Sequence, residues 1–125
     1  MRILILDDNG DALKVLESFL KALGHEVNCF TEGTEALLWL GDLKPELIIA
    51  DLEMPNMDGF TFVKNVRARS AYASMPIICI TGTNATDEQI ALGGFAAILR
   101  KPTTLEDVMT SIEDVMASIS NGNQF

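Results

Sequence analysis

The stretch LIIAD, residues 47–51, joins four consecutive apolar residues to one acid. Because the apolar part shows no polar alternation, it predicts a strand covered on both faces, as strands of a parallel sheet are. Two other runs share this character, Ile3–Leu6 and Ile77–Ile80, and two less uniform runs complete a set of five, Val27–Phe30 and Ala96–Leu99. Among these, Val27–Phe30 suits an edge strand.

Segments with helical periodicity separate the five runs. The first carries an apolar stripe, the second is short, the third follows the N-cap candidate Asp58, and the fourth and fifth begin with capping-box patterns. The residues concerned are Leu13, Leu16, Leu20 and Leu23; Gly33–Leu43; Phe60, Val63, Lys64 and Arg67; Thr86 with Gln89; and Thr103 with Glu106, which opens a stripe from Leu105 to Ile119. Strands and helices therefore alternate, which predicts an α/β fold with a doubly wound five-stranded parallel sheet.

Composition narrows the class of protein. With 125 residues, 48% of them hydrophobic and 22% charged, the chain predicts one globular domain, which we expect over residues 1–119 with a frayed tail over 120–125. The net charge of −9 argues against nucleic acid and anionic membranes as direct partners. No apolar run approaches the ~18 residues of a membrane span. Cys29 and Cys79 lie in apolar segments without a partner motif, so we expect reduced thiols and a cytoplasmic protein.

Polar residues follow four of the five predicted strands. Asp7 and Asp8 follow the first, Asp51 the third, Thr81 the fourth and Lys101 the fifth. A lone acid at such a place usually caps the next helix. However, ligands of doubly wound sheets bind outside the carboxyl ends of the strands, so these side chains are expected to converge on one edge. Their coincidence favours a functional site.

The chemistry of this set points to phosphoryl transfer. Three neighbouring carboxylates raise one another's pKa values unless a cation neutralises them, and Mg²⁺ prefers oxygen ligands while keeping waters for a phosphoryl group. Asp51 is placed centrally and can act as a nucleophile towards phosphorus, which would give an aspartyl phosphate. Lys101 and Mg²⁺ would stabilise the phosphoryl oxygens, and the Thr81 hydroxyl can donate to one of them.

At this point a family resemblance emerges. From Arg2 to Ile119 the sequence resembles the receiver domains of two-component response regulators, in particular the single-domain receivers of the chemotaxis-regulator type. The matching motifs are Asp7-Asp8, the stretch DLEMPNMDG at 51–59, Thr81-Gly82 and Lys101-Pro102, of which the second is the most specific. The resemblance implies a flavodoxin-like (βα)5 fold with strand order 2-1-3-4-5. It also implies a cis peptide bond before Pro102.

The resemblance assigns a role to each site residue. Asp51 is the expected phosphoacceptor, and Asp7, Asp8, Asp51 and the backbone carbonyl of Glu53 are the expected Mg²⁺ ligands. Thr81 and Lys101 are expected to contact the phosphoryl group. Pro55 and Gly59 would shape the loop after Asp51. Such a protein catalyses its own aspartate phosphorylation and dephosphorylation and does not turn over free substrates.

The resemblance also implies the kinds of partner. The phosphoryl donor would be a phosphohistidine of a histidine kinase or a histidine phosphotransfer protein. The signal would pass by a conformational change to an output protein, or to a homodimer, through the face of the fourth helix, fifth strand and fifth helix. On that face Ile98 replaces the usual aromatic residue, and we expect Ile98 either to stay packed or to contribute to an apolar partner surface.

Several alternatives stay open at this stage. A free-standing receiver is favoured, and a receiver domain cut from a larger regulator or hybrid histidine kinase is a close second. A haloacid-dehalogenase-type phosphatase would need a second acid two residues after a nucleophile on the first strand, whereas Asp7 and Asp8 are adjacent. A mononucleotide binder would need a loop rich in Gly, Ser or Thr at that place.

Overall fold

Five parallel strands form a single sheet in the computed structural model, which describes residues 1–54, 58–82, 86, 88, 90 and 93–122. The strands are β1 (Arg2–Leu6), β2 (Glu26–Phe30), β3 (Leu47–Asp51), β4 (Ile77–Thr81) and β5 (Ala97–Arg100). Their order is β2-β1-β3-β4-β5, and every neighbouring pair is parallel. The predicted fold class, strand order and edge position of the second strand are therefore confirmed.

Four helices connect and flank the strands in the described part of the chain. They are α1 (Gly10–Ala22), α2 (Gly33–Leu43), α3 (Gly59–Ala68) and α4 (Leu105–Ser120). Helix α4 is the fifth helix of the predicted pattern. The predicted fourth helix falls largely outside the described residues, as does Pro55. In its described part the Ile90 N–H donates to the Thr86 carbonyl (3.0 Å) and the Gly93 N–H donates to the Ile90 carbonyl (3.1 Å). None of the described helices is long and apolar enough to cross a bilayer.

A hydrophobic core lies on each face of the sheet because neighbouring strand residues point to opposite sides. Ile3 and Ile5 face a core shared with α1 and α4, whereas Leu4 and Leu6 face a core shared with α2 and α3. All residues of β3 and β4 are buried, as expected for strands covered on both faces. The last residue of each of these strands is therefore held rigidly at the carboxyl edge.

The start of α4 differs from the prediction by one residue. Thr104, and not Thr103, is the N-cap, and its hydroxyl accepts from the Asp107 N–H (3.0 Å) while the Asp107 carboxylate accepts from the Thr104 N–H (3.3 Å). Both threonines have an acid three residues later, so either could form a capping box. The structure selects Thr104 because the Thr103 hydroxyl is turned into the protein and buried.

Two apolar stripes also differ in detail from the predicted ones. Helix α3 buries Phe62, Val63 and Val66, whereas Phe60 is only half-buried. Leu23 is 47% exposed because α1 ends before it and Leu23 is the C-cap residue. The predicted caps Asp58 and Gly24 hold: the Asp58 carboxylate accepts from the Thr61 N–H (2.8 Å), and Gly24 has φ +94°.

Both cysteines should be unreactive in the native protein. Burial, followed by the charge of Asp51, raises the pKa of Cys79 to about 12, and burial together with Glu17 raises the pKa of Cys29 to about 12. At pH 8 the reactive thiolate fraction is then on the order of 10⁻⁴. We expect negligible labelling by a thiol-reactive disulfide at pH 8 and rapid labelling of both thiols in denaturant. Fast labelling without denaturant would contradict this.

Candidate functional site

The carboxyl edge of the sheet gathers all the polar residues that the sequence singled out. Asp51 ends β3 and is 2% exposed, and Thr81 ends β4 and is fully buried. Lys101 follows β5, and its N–H donates to the Thr81 carbonyl (2.8 Å), which ties the ends of these two strands together. Asp7 and Asp8 follow β1. Residues up to 94 positions apart in sequence thus meet at one place because parallel strands end together.

Three carboxylates form the centre of this site. Asp7, Asp8 and Asp51 each offer an oxygen, and these three oxygens all lie within 4.8 Å of one another. Burial, supplemented by the charge of Asp51, raises the pKa of Asp7 to about 6 although the Asn9 N–H donates to its carboxylate. Such clustered oxygens fit the donor preference of a hard divalent cation, which would relieve the repulsion between them.

Lys101 supplies the positive charge on the other side of Asp51. Its Nζ donates to Asp51 Oδ2 at 2.8 Å, while the Glu53 N–H donates to Oδ1 at 2.9 Å. Burial alone would lower the pKa of Lys101, but the hydrogen bond and charge of Asp51 outweigh burial and raise it. Both carboxylate oxygens of Asp51 are therefore held in a fixed orientation, and Lys101 is a permanent cation at neutral pH.

Thr81, the last residue of β4, has a side-chain hydroxyl that forms no hydrogen bond. Its Oγ1 is buried and has no hydrogen-bond partner, a property that it shares only with Thr103 among the described residues. A buried hydroxyl without a partner is uncommon and costs free energy, and such groups often mark functional sites. Thr81 therefore retains a donor for a group that is not part of the chain itself.

Two residues of the site were given no role of their own in the sequence analysis. Asn9 caps α1, because its Oδ1 accepts from the Asp11 and Ala12 N–H groups at 3.1 Å, and its own N–H donates to the Asp7 carboxylate at 2.9 Å. The signal was present, since asparagine directly before a helical stripe is a favoured N-cap. Gly82 was not assigned a role either. A Cβ there would come within 2.7 Å of the Glu53 carboxylate, so glycine leaves room for that side chain.

The neighbourhood of β5 tests two further expectations. The Lys101–Pro102 peptide bond is cis, as the resemblance implied. Ile98 is 45% exposed, so the expectation that it stays packed inside is wrong, and the alternative of an apolar surface residue fits. Ile98 lies on β5, the other edge strand of the sheet, which pairs with β4 alone among the described strands.

Fold and site together define a receiver domain, and comparison with known proteins agrees. The family model of the response regulator receiver domain matches residues 3–113, and the chain belongs to this family. Of the four interpretations drawn from the sequence, family membership favours the two receiver interpretations over the phosphatase and the mononucleotide binder.

Individual relatives are similar over most of the chain. The two-component response regulator ARR15 of Arabidopsis thaliana is 31% identical over 121 residues, which cover 86% of this chain and 59% of ARR15. The chain spans about half the length of PrrA, a transcriptional regulatory protein of Mycobacterium tuberculosis, at 30% identity. Among solved structures, the chemotaxis response regulator CheY4 of Vibrio cholerae matches with a TM-score of 0.83 and 30% identity over 91% of this chain and 97% of that one.

Proposed function

We propose that Asp51 accepts a phosphoryl group from a phosphohistidine of a histidine kinase or histidine phosphotransfer protein. The observation that carries this proposal is the 2.8 Å contact of Lys101 Nζ with Asp51 Oδ2, in a site where two more carboxylates surround a buried acid. This arrangement orients the Asp51 carboxylate and places beside it a lysine ammonium that can bind phosphoryl oxygens. Family membership supports the same chemistry.

The transfer exchanges one bond for another. A carboxylate oxygen of Asp51 forms a bond to phosphorus, and the bond between phosphorus and the donor imidazole nitrogen breaks. The imidazole keeps the electron pair and takes up a proton from solvent, which leaves an acyl phosphate on Asp51. Attack of water on that phosphorus later returns Asp51 and inorganic phosphate.

The chain's own side chains prepare this step. The Glu53 N–H fixes the direction of the Asp51 carboxylate, so the nucleophile does not need to reorient. Lys101 neutralises charge on the phosphoryl oxygens as it develops. The unpartnered Thr81 hydroxyl can donate to one of those oxygens, which would give it the hydrogen bond that it lacks.

The acidic cluster fits a magnesium ion by the chemistry of its donors. The carboxylates of Asp7, Asp8 and Asp51, with the backbone carbonyl of Glu53, would hold it. When bound, Mg²⁺ supplies charge neutralisation between the acids and the incoming phosphoryl oxygens.

Intact-protein mass spectrometry tests the proposed function. The purified chain is incubated with acetyl phosphate, a small phosphoryl donor, in the presence of Mg²⁺ or of excess EDTA. We expect the mass of one phosphoryl group to be added in the sample with Mg²⁺ and not in the sample with EDTA. Addition of equal amounts in both samples would contradict the magnesium assignment, and no addition in either would contradict the phosphoacceptor assignment.

Magnesium itself should stabilise the folded protein. At a Mg²⁺ concentration of about 100 times its Kd, the free energy of unfolding should rise by about 2.7 kcal/mol, and the midpoint of thermal unfolding should shift upward by several degrees.

Asp8→Asn should weaken Mg²⁺ binding at least tenfold, because it removes one negative charge from a small set of ligands. The exposed Asp114 offers a matched control, and Asp114→Asn should titrate like the wild type. Equal Kd values for the two variants would count against Asp8 as a ligand.

We propose that signalling uses the face formed by β5 and α4. The exposed Ile98 gives this face an apolar centre, and Glu106, Asp107, Glu113 and Asp114 give α4 an acidic side. An output protein, or a second copy, would bind there after the end of β4 responds to the phosphoryl group. Such signalling places the protein in the cytoplasm, where its kinase would present the phosphohistidine.

A further inference from the structure

Helix α2 carries an exposed patch that the phosphoryl chemistry does not use. Leu38 is 80% exposed and Trp39 is 50% exposed, the highest and third-highest values among the large apolar side chains exposed in the described part of the chain. The helix is already anchored on its other side by the buried residues Gly33, Ala36 and Leu40. The two apolar side chains therefore add nothing to the core that we observe.

Two acids frame this apolar pair. Glu35 lies three and four residues before Leu38 and Trp39, and Asp42 lies four and three residues after them. Residues at these spacings are neighbours on a helix surface, so each acid sits one turn away from both apolar side chains. All four side chains are exposed. We call these four residues the α2 patch.

The patch conflicts with the local rules of helix stability. Asp42 lies in the last turn of α2, where the helix dipole disfavours negative charge, and the last turn contains no basic residue. Leu38 and Trp39 belong to neither of the two hydrophobic cores. Where a sequence breaks local rules without a gain in the fold, a functional surface is the usual reason.

The opposite side of α2 is occupied, which leaves the patch as its free surface. Arg69 Nη2 donates to the Leu37 carbonyl (2.9 Å), and the Tyr72 hydroxyl donates to the Leu40 carbonyl (3.1 Å). These contacts come from the end of α3 and the turn that follows it. A helix rotation of about 100° per residue places Trp39 on the side of the helix away from Leu37.

We propose that the α2 patch binds a basic amphipathic segment of a partner protein, at a surface separate from the phosphoryl site and from the β5–α4 face. Charge complementarity selects this occupant. An arginine can stack on the Trp39 indole and pair with Glu35 or Asp42, while an aliphatic side chain of the partner covers Leu38. A second copy of this chain would instead bring four carboxylates together between molecules of net charge −9, and an anionic bilayer would be repelled in the same way.

Trp39 is the single tryptophan of the chain and reports binding directly. The probe is a synthetic helical peptide of about 18 residues with leucines on one face and arginines on the other. A second peptide carries glutamate in place of every arginine. We expect the arginine peptide to shift the Trp39 emission to shorter wavelength in a saturable way, to perturb backbone amide resonances mainly within residues 32–44, and to bind more weakly as salt rises. The glutamate peptide should not bind.

Surface variants keep the test specific. Leu38→Ser should weaken binding of the arginine peptide at least tenfold. Asp42→Asn should weaken this binding and make it less dependent on salt. Leu23→Ser, at another exposed leucine, should bind within twofold of the wild type, and phosphoryl uptake should be normal in all three variants. Equal effects of Leu38→Ser and Leu23→Ser, or binding of the glutamate peptide, would overturn the proposal. A Trp39 emission that shifts with the protein's own concentration would also overturn it, in favour of self-association.

Discussion

Lys101→Met is expected to slow phosphoryl uptake from acetyl phosphate by about a hundredfold or more. The variant keeps the length of the side chain but removes the cation that contacts Asp51 Oδ2 at 2.8 Å. Charge that develops on the phosphoryl oxygens then lacks its fixed counter-charge on this side of the site. In the absence of Mg²⁺ the variant should also be less stable, because a carboxylate that is 2% exposed loses its ion-pair partner.

The rate of phosphoryl uptake at saturating Mg²⁺, followed by intact mass, measures this effect. Circular dichroism confirms that the variant is folded. Lys64→Met is a matched control, because Lys64 is exposed on α3 and contributes to none of the contacts described at Asp51. The control should react at the wild-type rate. A Lys101→Met rate within threefold of the wild type would show that Lys101 is only a structural partner of Asp51.

Gly59→Ala is expected to lower the free energy of unfolding by at least about 2 kcal/mol. A Cβ on Gly59 would clash with the Leu52 Cα and would lie 2.6 Å from the Asp51 carbonyl oxygen. Both obstacles are backbone, so neither can rotate away. The Gly59 N–H also donates to the Leu52 carbonyl (3.0 Å), which holds the start of α3 against the end of β3. Displacement there moves Asp51 itself, so phosphoryl uptake should slow as well.

Gly41→Ala is expected to raise the free energy of unfolding, in contrast to Gly59→Ala. Gly41 lies in α2, and a Cβ there would meet nothing within 4 Å. Alanine in a helix interior is favoured over glycine by roughly 0.5–1 kcal/mol, so this variant should unfold at higher denaturant concentration than the wild type. Chemical denaturation measures the free energy of unfolding of both variants. Similar stability of the two would contradict the tight approach of Gly59 to β3.

The site could be predicted largely from the sequence because parallel strands end at one edge. The apolar runs fixed β1, β3 and β4 to within one residue, and the residue after each run then had to lie at the carboxyl edge. Asp7, Asp51 and Thr81 follow directly from that geometry. Lys101 comes one residue later, beyond Arg100, after the run that predicted β5. What the runs could not provide was the orientation of each side chain.

Details that depend on packing could not be predicted. Thr103 and Thr104 both fit a capping box, and the choice rests on which hydroxyl turns inward. Helix α2 reads Ala-Leu-Leu-Trp-Leu at 36–40, and such a continuous apolar run does not reveal which side faces the sheet. The exposure of Leu38 and Trp39 therefore became visible only in the folded chain. The same holds for Ile98, whose exposure depends on β5 being an edge strand.

Mapping the phosphorylated residue tests the central claim most directly. The chain is treated with acetyl phosphate and Mg²⁺, the acyl phosphate is reduced with borohydride, and peptides are sequenced by tandem mass spectrometry alongside those of Asp51→Asn. We predict a single modified position, Asp51, reduced to homoserine, and no modification in the variant. Modification at Asp7, Asp8 or any other residue of the wild type, or its persistence in Asp51→Asn, would contradict the account.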